Sequence, residues 1–168
     1  SNNQLLTDDG DGTVTSEANL TWDGDDLSIT SVTTNKPKLQ IKSTTNDARG
    51  GILSFVNNRG AAGVDGDYLG TLQFWGGNTA QEETQFAMIQ GQISEADDTD
   101  EAGKMILSVA TSNGTTSSTL PGLTLEGEHN TQEIDATIGY GTGSTTTLAG
   151  TLTMGSTATL NNTGEIQV

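Results

Sequence analysis

Twenty-two acidic side chains are the first candidates for chemistry in this 168-residue sequence. Two runs of them are dense enough to raise the question of a cation site. Asp8-Asp9-Gly10-Asp11-Gly12 looks like a calcium loop at a glance. The EF-hand pattern needs spaced acids, glycine at the sixth position and a bidentate Glu at the twelfth. This run lacks that spacing, and its Asp-Gly steps read as a turn or flexible lead-in. Glu95, Asp97, Asp98, Asp100 and Glu101 form the second run, closed by Gly103, with Ala102 where a ligand would be needed. A solvated turn is the expectation there, and no metal ligand is assigned.

Nucleophilic and acid–base chemistry fare no better. His129 is the only histidine, so no histidine pair exists to hold a metal. Ser, Thr and Asp lie around it, which leaves a Ser-His-Asp grouping open by composition. No nucleophile elbow is present, however, and Gly139-Tyr140-Gly141 is not one. His129 is read as a surface or spacer residue. A pair of carboxylates could cleave a polysaccharide, and so many acids make a chance pair easy. Such a cleft also needs aromatic platforms for the sugar rings. Trp22, Trp75, Tyr68 and Tyr140 are the main candidates, and some of them must serve packing. The chain is therefore expected not to be an enzyme, with no catalytic, cofactor-binding or metal residue and no cofactor.

Composition narrows the partners. With 22 acidic and 6 basic residues the net charge is −16, which opposes binding to nucleic acid phosphates and to anionic membranes. There is no cysteine, so neither disulfides nor thiolate metal sites exist. No segment is long and apolar enough to read as a transmembrane helix. Ser1 opens the sequence with no basic or apolar leader after it, and the chain is expected to be a processed product or a piece of something longer. Hydrophobic residues make up only 31%, below the usual share for a compact domain, while Gly, Thr and Ser are frequent.

The elements that would position any site are strands. Leu20 and Trp22 alternate with polar residues, as do Leu27 and Ile29, and Asp23-Gly24 supplies a turn between them, which predicts a hairpin. Leu39 and Ile41 predict a short strand beside Lys36, Lys38 and Lys42, read as a charged edge. Ile52 to Asn57 predicts a strand, and Leu69 to Gly76 its return across a Gly- and Asp-rich connection. Gly70, Leu72 and Phe74 are expected on one face, and Leu69, Thr71, Gln73 and Trp75 on the other. That ribbon is expected in an inner layer. Further strands are predicted from Phe86 to Ile93, from Met105 to Ala110, at Leu123 and Leu125 after Pro121-Gly122, and from Ile134 to Tyr140. Nine or ten short strands with no credible long helix is an all-β reading.

Leu148 to Val168 carries the most regular pattern. Leu148, Met154, Leu160 and Ile166 recur at intervals of six, and Thr147, Thr153 and Thr159 precede the first three. The period of two predicts a strand or ribbon. One thin apolar line cannot build a core alone. Either it is an edge of an ordinary sandwich, or identical chains wrap together and bury it on a shared axis. The second reading is preferred, because units that cannot bury a face alone must associate. Three regions are drawn: 1–32, a lead-in and hairpin; 33–128, an antiparallel β body; and 129–168, a Thr/Gly-rich shaft for trimerisation.

Three stretches carry a family resemblance. They are the hairpin Asn19 to Thr30, the middle from Leu53-Ser54-Phe55 through Asp67 to Gly76 with Ala87-Met88-Ile89 and Gly103 to Leu107, and the Thr/Gly ribbon at 145–168. In that order they resemble a bacteriophage tail fibre or related virion appendage protein. The resemblance implies an elongated, intertwined homotrimer with short antiparallel strands and a C-terminal β-ribbon shaft. It further implies a structural and adhesive role outside the cell, linking a virion to a host surface. Implied partners are further copies of the chain, neighbouring tail or fibre proteins, and a host surface glycan or protein, with no membrane insertion. A non-viral extracellular fibre or adhesin is the alternative, with a polysaccharide-cleaving spike behind it. No receptor-contact residue is assigned; the loops at 58–68, 76–84 and 112–118 are candidates, because loop side chains are free of packing duty.

Overall fold

The computed structural model describes residues 4–8, 10 and 12–153, and every regular element among them is a β-strand. The chain divides into two compact units, Ser1–Ser54 and Phe55–Val168. The first unit holds β1 (Gln4–Asp8), β2 (Val14–Trp22) and β3 (Leu27–Ile29) in an antiparallel sheet of order β1-β2-β3. The predicted hairpin is present, with Leu20 opposite Ile29 and Trp22 opposite Leu27. Its turn is locked by one side chain. Asp23 Oδ1 accepts the amide protons of Asp25 and Asp26 at 3.0 and 2.8 Å, while Gly24 takes a φ of +116°. Those amide bonds, led by that of Asp26, hold the Asp23 carboxyl below its ordinary value. The lead-in before this hairpin is more structured than expected, because β1 pairs along β2.

The second unit carries β4 (Tyr68–Gly77), β5 (Glu83–Glu95), β6 (Ala102–Ser112), β7 (Ser117–Gly127) and β8 (Ile134–Ile138). They form one antiparallel meander in chain order. Short polar connections with strands of period two fold in this way, each strand pairing the next.

Several expected elements differ. Neither Leu39 and Ile41 nor Ile52 to Asn57 forms a strand; no strand lies between β3 and β4. Alternation assigns faces, but a strand also needs a ladder partner for its N–H and C=O groups, and these segments have none. β4 consequently pairs only with β5 and is an edge strand rather than part of an inner layer. The strand at Leu123 begins earlier than expected, at Ser117, and runs through Pro121 and Gly122. Register shifts between Leu107 and Ser108, opposite this pair, so the prolyl nitrogen without a proton falls at a bulge. Of the expected terminal ribbon, residues 148–153 are irregular, and residues 154–168 lie outside those described.

Candidate functional site

The ladder register sorts the five-stranded sheet into two unlike faces. Leu72, Ile89, Leu107, Leu123 and Ile138 form a single cross-strand row, each paired with the next. Gly70, Gly91, Met105, Leu125 and Ala136 form a row two residues along, on the same side. Phe74, Ala87, Val109 and Leu120 form the row beyond the first. No charged residue stands in any of these rows. The intervening rows face the other way and are largely polar: Thr71, Gln90, Ile106, Thr124 and Thr137, then Gln92, Lys104, Glu126 and Asp135.

Several groups of the polar face are paired within the sheet. Gln90 Nε2 donates to Thr71 Oγ1 at 3.4 Å. Lys104 Nζ reaches Glu126 Oε1 at 2.7 Å, and Ser94 Oγ donates to the same oxygen at 2.5 Å. Lys104 first, then Ser94, holds the Glu126 carboxyl below its ordinary value. The apolar face has no comparable cover. Among the described residues no apolar side chain is buried at all, and the one buried residue is Ser108, at 3% exposure. Val109 and Ile138 remain 57% and 59% exposed in the middle and at the edge of the apolar face. From outside the sheet's strands, Phe55 packs over Gly70, and residues 144–147 line a groove with Val109, Leu120 and Ile138. A Cβ at Gly70 would lie 2.7 Å from Phe55 Cγ, so glycine makes room for the ring. Leu69, expected to share a face with Thr71, Gln73 and Trp75, approaches Gly91 from the apolar side, because register shifts between Tyr68 and Gly70.

The candidate loops do not converge. Antiparallel order places the turns at 78–82 and 113–116 at one end of the sheet. The 58–67 connection lies at the other end with the acidic turn at 96–101. Each is held by short polar side chains. Asn78 Oδ1 accepts from the amides of Ala80 and Glu82, and Asn113 Oδ1 from those of Thr115 and Thr116. Asp67 takes Arg59 Nη1 at 2.7 Å and the Val64 amide at 3.0 Å, Arg59 being the larger cause of its lowered carboxyl pKa. The Gly66 amide donates to the Ile93 carbonyl and the Ile93 amide to the Asp67 carbonyl, each at 2.9 Å, which ties this connection onto β5 near its end.

The acidic run forms the predicted turn, and among the described residues no group of three or more His, Cys, Asp or Glu side chains is arranged to hold a metal ion. Asp100 within it reaches across to the turn after β7, accepting from the Asn130 amide at 3.0 Å and meeting His129 Nδ1 at 3.2 Å. Among the described residues no Ser or Thr hydroxyl bonds to His129, whose partners are Asp100 and Asn130. The aromatic candidates are dispersed. Tyr68 and Trp75 sit seven positions apart on β4, roughly 24 Å along the strand. Tyr140 follows β8 at the opposite edge, roughly 19 Å across the sheet. There it flanks a groove of about 510 Å³ shared with Val109, Leu120, Ile138 and Thr145. Trp22 belongs to the other unit.

The fold thus defines a class, an open antiparallel meander that displays its apolar face instead of burying it. No family model, no curated protein and no solved structure matches the chain.

Proposed function

We propose that this chain is a structural and adhesive segment of a virion fibre, assembled as a homotrimer that links a phage tail to a host surface. The observation that carries the reading is the absence of any buried apolar side chain among the described residues, in a sheet whose cross-strand rows nonetheless separate apolar from largely polar residues. A sheet with one uncovered apolar face is marginal in water, so its stability comes from other chains. The order of motifs that resembles a tail fibre supplies the virion setting. In that setting the work is mechanical and multivalent. Several chains share one core, and weak contacts at their loops are repeated in every copy, so avidity supplies affinity that no single contact has. The scattered aromatics and the occupied His129 support an adhesive rather than a hydrolytic role.

Light scattering on the purified full chain tests the assembly, and binding to intact bacterial cells or to surface glycans tests the adhesion. A mass of three chains at micromolar concentration is the expected result, with no reducing ends released from the glycans it binds. A well-folded monomer at the same concentration overturns the fibre reading.

A further inference from the structure

We infer that the apolar face of the β4–β8 sheet is the surface on which copies of this chain meet, so that the body of the protein carries the assembly. The inference rests on the proposed self-association and names the surface that performs it.

Three observations select other copies as the occupant. The first is charge. A chain of net charge −16 repels its own copies, and like charges brought together at an interface cost several kcal/mol. The rows through Leu72, Met105 and Val109 contain no ionisable side chain, so here two copies touch without apposing carboxylates. The second is size. Five strands about 4.8 Å apart, the first four showing about eight residues each and β8 its five, at about 3.4 Å rise, present roughly 600 Å². Two such faces together pass the roughly 1,000 Å² that a specific interface needs. The third is the state of the opposite face. Its Lys104–Glu126–Ser94 and Gln90–Thr71 bonds are made within the sheet, which leaves it fit for solvent. In an assembly of three chains, three apolar faces turned to one axis build the core that a single chain lacks, with Leu107 of the central strand at its middle.

The absence of cysteine makes the test clean, because one introduced thiol is the only thiol. The full chain is prepared as Met105→Cys, on the apolar face, and as Thr137→Cys, on the polar face. Each is reacted with a maleimide under native conditions, and mass in solution is measured alongside. The expected result is an assembled protein in which Met105→Cys reacts at least about tenfold more slowly than Thr137→Cys, as burial in a stable interface requires. Mild oxidation joins Met105→Cys chains into disulfide-linked pairs and leaves Thr137→Cys chains single. Leu107→Glu then lowers the assembled mass, while Thr124→Glu leaves it unchanged. Equal labelling of both thiols in an assembled protein overturns the inference and leaves the fibre reading standing. A monomer with a protected Met105→Cys overturns both, since a segment of the same chain then covers the face.

Discussion

At the residue scale, two positions show how close contacts set sequence. Gly70 lies under Phe55, and a methyl group added there would press on the ring. Gly70→Ala is expected to destabilise by about 1–3 kcal/mol, the usual cost of overpacking. Gly77→Ala is the matched control on the same strand, since an added Cβ there meets nothing within 4 Å. It is expected to be neutral or to stabilise by up to about 1 kcal/mol through the unfolded chain. Urea denaturation of the two variants checks the difference. Glu126 makes the second case. Its carboxyl is held below the ordinary 4.5 by Lys104 and then Ser94, so the folded state binds that proton less readily than the unfolded state. The resulting stability is present in full above pH 4.5 and is lost as pH falls through the lower folded value. The pair is partly exposed, so Glu126→Gln is expected to cost less than about 1 kcal/mol at neutral pH and to flatten the acid limb of a stability–pH curve. Neither contact was legible in the sequence. Gly70 reads there as a small residue in a strand, and the Lys104–Glu126 pairing depends on a register that alternation alone does not supply.

At the element scale, alternation proved informative about faces and silent about partners. Leu72, Met105, Leu107 and Val109 fall on one face as the period of two requires, and the short loops between strands dictate a meander. Ile52 to Asn57 is as rich in strand-forming apolar residues without forming a strand, because a strand exists only where another backbone completes its hydrogen bonds. Pro121 misled in the other direction. Read as a strand boundary, it lies inside β7, where the shifted register opposite Ser108 accommodates its missing N–H. The tight connection between β6 and β7 offers a local test. Asn113 Oδ1 accepts two amide protons at 2.9 Å each, and Gly114 adopts a φ of +89°. Asn113→Ala removes both bonds and is expected to destabilise the sheet by about 1–2 kcal/mol. Hydrogen exchange should then show faster exchange concentrated in β6 and β7, the two strands this turn joins.

At the scale of the whole molecule, hydrophobic and electrostatic forces oppose each other, and their balance is measurable. The low share of apolar residues, legible from composition, corresponds to a sheet whose apolar side chains are all at least partly exposed. Assembly would cover them, yet it also gathers chains that each carry −16. The hydrophobic term changes only modestly with sodium chloride, whereas the repulsion between chains falls as screening tightens from about 30 Å at 0.01 M to about 3 Å at 1 M. The folded assembly is therefore expected to gain stability as salt rises, the reverse of a protein held by ion pairs. Because folding and association are one process in such an assembly, its Tm is also expected to rise with protein concentration. Calorimetry at two salt levels and over a hundredfold range of concentration measures both slopes. A Tm that ignores concentration would describe a chain that folds alone, and the shared core proposed above would fall with it. A concentration-dependent Tm that drops with salt would keep the assembly but replace its apolar interface with one built on charge.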